Sequence, residues 1–138
     1  MTSTLVDTNI LIYSVDSQDK KHKISVSMIQ NLIEAGDMVI SSQNLAELSR
    51  VLLEKVDPPQ KHEDVMKYLF KFKTLGTMID YDSNTVVDAV NISKQYKIHF
   101  FDALLIATMQ ENNVSYILTE NTKDFKKVKW LTVKNPFE

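Results

Sequence analysis

The stretch Thr4-Leu5-Val6-Asp7-Thr8-Asn9-Ile10-Leu11-Ile12-Tyr13 sets a short apolar run, an acid and a second apolar run side by side. Thr4–Val6 reads as a buried strand that ends at Asp7. Asp, Thr and Asn are all good helix N-caps, so Asp7 taken alone fits a capping role as well as a functional one. Further along, Met38–Ser41, Met78–Asp80, Tyr116-Ile117-Leu118 and Leu131-Thr132-Val133 are predicted strands of the same kind.

Helical spacing fills the intervals between them. Ile24, Met28 and Leu32, with Ile29 and Ile33, repeat at i, i+4, and Gly36 is a candidate C-cap. Leu45, Leu48 and Leu52 predict a helix running to Pro58-Pro59, and Val65, Tyr68, Leu69 and Phe72 another, with Gly76 just past it. Asp82 or Ser83 can cap a helix carrying Val86, Val87, Ala89, Val90 and Ser93. A last long helix, from about Asp102 and apolar nearly all round through Ala107, belongs in the core. Short strands alternating with helices predict an α/β fold with a mainly parallel sheet of about five strands. Ligands bind beyond the carboxyl ends of strands in such sheets. Asp7 and the stretch Thr119–Asp124 both follow strands directly.

Bulk composition narrows the classes. At 138 residues, 43% apolar and 25% charged, the chain is expected to form one soluble domain over residues 1–138. Without cysteine there is no disulfide, thiolate nucleophile or zinc ribbon, which suits a cytoplasmic location. No apolar run reaches bilayer length, so no membrane association is expected. A formal charge of −2 does not announce a nucleic-acid binder, but carboxylates gathered around metal ions would lower the total. There is no glycine-rich phosphate loop and no serine elbow, and His22, His62 and His99 lack metal-ligand spacing. Tyr68 and Phe72, at helical spacing, read as core rather than base-stacking platforms.

Four acids remain, each with an ordinary reading of its own. Asp102, inside Phe100-Phe101-Asp102-Ala103-Leu104-Leu105-Ile106-Ala107, is costly to bury ionised unless it is capped, paired or bound to a cation. Glu47 is placed by helical geometry beside Gln43, Arg50, Val51 and Glu54, where a surface ion pair with Arg50 is the plain expectation. Thr119-Glu120-Asn121-Thr122-Lys123-Asp124-Phe125 reads as a polar turn with Asn121 or Thr122 starting a short helix. Together with Asp7 they make a set. Two carboxylates about 5 Å apart repel by roughly 3 kcal/mol at an effective dielectric of 20. Several in one cleft need a cation or raised pKa values, and hard oxygen donors favour Mg²⁺ or Mn²⁺ over zinc.

At these residues the sequence resembles the PIN domains, and among them the VapC ribonuclease toxins. The matching pieces are Leu5-Val6-Asp7-Thr8-Asn9, Ser41-Ser42-Gln43-Asn44-Leu45-Ala46-Glu47-Leu48, Phe101–Ala107 and Ile117–Phe125, which together cover nearly the whole chain. The resemblance implies a three-layer α/β/α sandwich and a pocket binding Mg²⁺ or Mn²⁺ for RNA hydrolysis. By position it makes Asp7 and Asp102 the metal-binding aspartates and Glu47 the third acid. It makes Thr8, Asn9 and Thr119 the groups that orient them. Many PIN domains carry an aspartate where this chain has Asn121; other toxin-like members place an acid before the phenylalanine, as Asp124 stands here. The resemblance further implies a VapB-like antitoxin partner, with a basic or aromatic tail in the acidic pocket, and a homodimer. The helices around Lys20–Leu32 and Leu45–Val56 are the candidate dimer surfaces.

Lys123, Lys126, Lys127 and Lys129 are near the site in sequence and are candidate phosphate contacts beside an ordinary solvated face. The competing reading is a PIN-like module that binds RNA or protein without cleaving, for which Asn121 is the best support. An aspartate-phosphorylating phosphatase would want a second aspartate at position 9, where Asn stands, and a receiver domain a paired acid ahead of the strand's end.

Overall fold

The computed structural model describes residues 2–138. Five strands, β1 (Thr4–Val6), β2 (Met38–Ser41), β3 (Thr77–Ile79), β4 (Tyr116–Leu118) and β5 (Thr132–Lys134), form one sheet in the order β3-β2-β1-β4-β5. Every pairing is parallel, with Leu5 in register with both Val39 and Ile117. Helices α1 (Thr8–Val15), α2 (His22–Ala35), α3 (Ser42–Arg50), α4 (His62–Leu75), α5 (Ser83–Tyr96), α6 (Phe100–Glu111) and the single turn α7 (Thr122–Phe125) connect them.

Side chains alternate across a strand, and here the alternation sorts the core into two halves. Leu5, Val39 and Ile117 pack with α5 and α6 through Ala89, Ile92, Leu104, Leu105 and Met109. Val6, Ile40 and Leu118 pack with α1 to α4 through Ile10, Leu11, Ile29, Leu48 and Phe72. The result is a three-layer α/β/α sandwich. Because both faces of the central strands are covered, these strands are continuous apolar runs rather than alternating ones.

The predicted strands β1, β2 and β4 coincide with the observed ones, while β3 starts one residue earlier than expected and β5 one residue later. Gly36 ends α2 with φ of 73°, a left-handed backbone that favours glycine, and its N–H reaches the carbonyls of Ile33 and Leu32. The helix expected to run on to Pro58 changes character after Arg50: Val51–Lys55 forms a wider π-turn. Helix α6 begins at Phe100, two residues before its expected start, with His99 at the N-cap position. Asp102 therefore lies inside the first turn and is not the cap.

The strand order places a topological switch between β1 and β4. From β1 the chain steps outward through β2 and β3, then crosses back by way of α5 and α6 to continue on the other side of β1 as β4. In doubly wound sheets the crevice beyond the carboxyl ends of strands at such a switch is where ligands bind. Asp7 and Thr119 are the residues that follow β1 and β4, and Asp7 N–H donates to the carbonyl of Leu118 at 3.0 Å.

Candidate active site

Asp7 is both a helix cap and a neighbour of the other candidate acids. With φ −70° and ψ 157° it occupies the N-cap of α1, and its Oδ1 accepts from the backbone N–H of Thr8 at 2.8 Å. Its Oδ2 accepts from the hydroxyl of Thr119 across the switch point at 2.7 Å. Only 9% of the residue is exposed. Burial pushes its carboxyl above the ordinary carboxylate range; the hydrogen bonds from Thr119 and Thr8 counteract this, and the neighbouring Glu47 adds to it.

Glu47 reaches the same place from α3. Its Oε1 accepts from the Thr8 hydroxyl at 3.0 Å, and that hydroxyl accepts in turn from Asn44 Nδ2 at 3.0 Å. Asn44 is held by Ser41, whose N–H and hydroxyl both donate to Asn44 Oδ1 while Ser41 Oγ accepts the Asn44 N–H. This reciprocal arrangement is the capping box of α3. A helix cap thus orients a carboxylate through two buried side chains. The expected ion pair between Glu47 and Arg50 does not form: among the described residues the two salt bridges are Lys21–Glu120 and Lys127–Asp124. Burial foremost, then the charge of Asp102, holds the Glu47 carboxyl high.

Asp102, in the first turn of α6, accepts from Asn121 Nδ2 through Oδ2 at 3.3 Å. Next to it the Phe101 carbonyl takes a hydrogen bond from Gln43 Nε2, tying α6 to α3 at 2.8 Å. Burial, then Asp7 and Asp124, raise the Asp102 carboxyl, and His99 offsets part of this. Asp124, on α7, keeps one oxygen on Lys127 Nζ at 3.3 Å. Lys127 also donates to the Lys97 carbonyl, so this lysine of the basic run is engaged within the fold.

Electrostatic influence therefore runs from Glu47 to Asp7, from Asp102 to Glu47, and from Asp7 and Asp124 to Asp102. Each of residues 7, 47, 102 and 124, far apart in sequence, thus lies within electrostatic reach of at least one other. The groups around the first three are neutral donors: Thr8 and Thr119 hydroxyls, the Asn121 amide and backbone N–H groups. Thr119 Oγ1 also accepts from the Asn121 N–H at 3.0 Å, and Asn9 Oδ1 accepts from Glu120 N–H at 3.4 Å. The three expected orienting residues, Thr8, Asn9 and Thr119, and Asn121 beside them, thus contact the acids or the loop that carries two of the donors.

Hard carboxylate oxygens, crowded with like charge and unmatched by a lysine or arginine on the first three acids, are the donor chemistry that a divalent cation such as Mg²⁺ satisfies. Among the described residues, no three His, Cys, Asp or Glu side chains close on a single point. Mg²⁺ does not require that, since it is commonly held by one or two carboxylates while keeping several waters. Asp7 and Asp102 fit such a site.

Sequence reasoning missed Asn44, Gln43 and the role of Glu120. The capping-box spacing Ser41-x-x-Asn44 was the available signal for the first. Glu120 points away from the acids, where its Oε1 accepts from Tyr13 OH at 2.6 Å and its Oε2 pairs with Lys21 Nζ. A prominent groove lies elsewhere. About 350 Å³ in volume and set between α1, α2 and α4, it is lined by Val15, Ile29, Ile33, Tyr68 and Phe72 and contains none of the four acids.

A doubly wound parallel sheet with acids gathered at its switch point defines the class. The chain belongs to the PIN domain family, which it matches over residues 4–131. Among solved structures, it is similar to a toxin-antitoxin complex from Klebsiella pneumoniae, at 26% identity and a TM-score of 0.68 over 99% of each chain. VapBC2 from Rickettsia felis, bound to a DNA fragment from its promoter, shares 22% identity and a TM-score of 0.71, over 97% of this chain and 98% of that one. The Mycobacterium tuberculosis toxin VapC20, described as cleaving the Sarcin-Ricin loop, shares 14% identity and a TM-score of 0.70, over 90% of this chain and 94% of the other. No curated protein matches the chain's sequence at a significant level.

Proposed function

We propose that this PIN domain is a metal-dependent endoribonuclease and the toxin of a VapBC-like pair. The observation that carries the reading is the convergence of Asp7, Glu47, Asp102 and Asp124 at the switch point, where the first three have raised carboxyls and no cationic side chain hydrogen-bonded to them. Asp7 and Asp102 would hold Mg²⁺ or Mn²⁺. The chemistry supplied by that ion, when bound, is activation of water and neutralisation of charge developing on a phosphodiester.

The chain's own residues do the rest. Thr119 and the Thr8 N–H fix the plane of the Asp7 carboxylate, leaving lone pairs on both oxygens. Glu47, oriented by Thr8, is placed to accept a proton from an attacking water or to position that water. Asn121 supplies no charge but orients Asp102, so its departure from aspartate removes one anion without removing the geometry. Lys123, Lys126 and Lys129 are left to contact phosphates that flank the cut.

The same reading includes a VapB-like antitoxin as partner, a homodimer, a cytoplasmic site of action and one domain spanning the chain. Among the described residues, no helix is long and apolar enough to cross a membrane. The alternative, a PIN-like module that binds RNA or protein without cutting it, keeps Asn121 as its support. Cleavage of a mixed RNA pool titrated with Mn²⁺, run beside Asp7→Asn, separates the two. Metal-dependent cutting that disappears in a folded Asp7→Asn protein supports the nuclease. RNA retention without cutting at any metal concentration supports the module.

A further inference from the structure

Three consecutive side chains of the β4–α7 loop leave in three directions. Thr119 donates to Asp7, Asn121 donates to Asp102, and Glu120 between them accepts from Tyr13 OH and pairs with Lys21. Glu120 is thus the only member of the triplet anchored outside the acid cluster. Its anchor is built from several elements. Lys21, just before α2, has its Nζ 5.2 Å from the Tyr13 ring centroid and 5.1 Å from that of Phe137, within cation–π range. The two rings meet edge to face at 5.5 Å. His22 Nδ1 lies 2.9 Å from the Tyr13 carbonyl, fixing the α1–α2 corner, and the Glu120 N–H reaches Asn9 on α1.

We propose that Lys21, acting through Glu120, is a positioning residue that latches the Thr119–Asn121 loop and so sets the two site aspartates Asp7 and Asp102. The reasoning is geometric. One short loop carries a donor to each aspartate, and the side chain between those donors is what ties the loop to the α1–α2 corner, so releasing it loosens both. Neither aspartate touches Lys21, so its ammonium acts only by way of the loop. Partners one step removed from metal ligands commonly change metal affinity by about 10–100-fold when they are removed. The inference rests on the nuclease reading for its consequence in catalysis, but not for the latch itself.

The test compares wild type, Lys21→Met, Lys21→Arg and Glu120→Gln by three measurements. They are hydrogen exchange at the Glu120 and Asn121 amides, Mn²⁺ affinity by calorimetry, and kcat and KM on a cleaved RNA. In folded Lys21→Met the two amides should exchange faster by about tenfold or more, while core amides on β1 stay protected. Mn²⁺ binding should weaken by up to about 10-fold, the low end of the range for groups that touch the metal ligands themselves. The loss should fall on kcat, with KM nearly unchanged, and Lys21→Arg should restore most of it. Unchanged loop exchange in folded Lys21→Met overturns the latch. So does a rise in KM alone, which would make Lys21 a direct RNA contact. If wild type neither binds Mn²⁺ nor cuts RNA, the nuclease reading fails, and loop exchange alone still decides the latch.

Discussion

Two sets of carboxylates stand within a few residues of each other and are treated in opposite ways. Asp7, Glu47 and Asp102 receive hydrogen bonds from hydroxyl, amide and backbone N–H groups, and burial raises all three. Glu120, next to Thr119, is met by an ammonium and a phenol, and its carboxyl is lowered, first by Lys21 and then by Tyr13. The neutral donors around the inner acids fix orientation without cancelling charge. Lys21 cancels charge and anchors a loop. On the proposed metal-dependent reading, a fold that pairs one acid with lysine and leaves its neighbours clustered would hold those neighbours ready for a cation from outside.

The largest break in this contrast is removal of an inner acid. Asp7→Asn or Asp102→Asn should bring RNA cleavage down to the level of the metal-free protein, with the circular dichroism of the fold kept. Persistent full activity in either folded variant would remove the site assignment. A smaller loss is expected from Thr119→Val, which takes a donor from Asp7 and keeps the shape. Mn²⁺ affinity by calorimetry should fall by about 10–100-fold, the scale typical of groups that support a metal ligand. An unchanged titration curve would mean that this hydroxyl serves folding alone.

Addition of the cation sharpens the comparison from the other side. A ligand that binds only the folded state at 100 times its Kd stabilises by about 2.7 kcal/mol. Mn²⁺ should therefore raise the melting temperature of wild type and leave that of Asp7→Asn nearly where it was. Equal shifts in the two proteins would locate the ion elsewhere.

The fold and one side of this contrast, the inner acids, were legible in the sequence, and what was not has physical reasons. Strands β1, β2 and β4 could be read to the residue because their runs Leu5-Val6, Met38–Ser41 and Ile117-Leu118 are buried, although Tyr116 at the start of β4 is exposed. The edge strands β3 and β5 slipped by one, since each pairs on one side only and has at most one fully buried residue. The four acids were visible as a set in their βα positions. Asp102 looked like a helix cap because local sequence does not show that the chain enters α6 two residues earlier. Glu47 looked like a partner for Arg50 because the competing donor, Thr8, lies 39 residues away. The Lys21–Glu120 pair spans 99 residues with no periodic signal, and only the fold brings it together.

The finest test uses pH, because the two sets of acids have opposite linkage. A raised carboxyl binds its proton more tightly in the folded than in the unfolded chain. Its contribution to stability is complete below the unfolded value of about 4 and is lost as pH rises through the folded value. Metal-free Asp102→Asn should therefore melt a few degrees higher than metal-free wild type near pH 7, with the gap closing toward pH 4 in thermal scans. Glu120 has the reverse sign. Its lowered carboxyl stabilises above the unfolded value, and that contribution fades as pH falls through the folded one. Glu120→Gln should then melt slightly lower near pH 7, by less than the Asp102→Asn gain because both side chains of the Glu120 pair keep 30% of their surface in solvent, which screens it. The two difference curves should approach zero from opposite sides on acidification. Curves of the same sign would mean that the inner acids are compensated within the fold, leaving no unmet charge for a metal to satisfy.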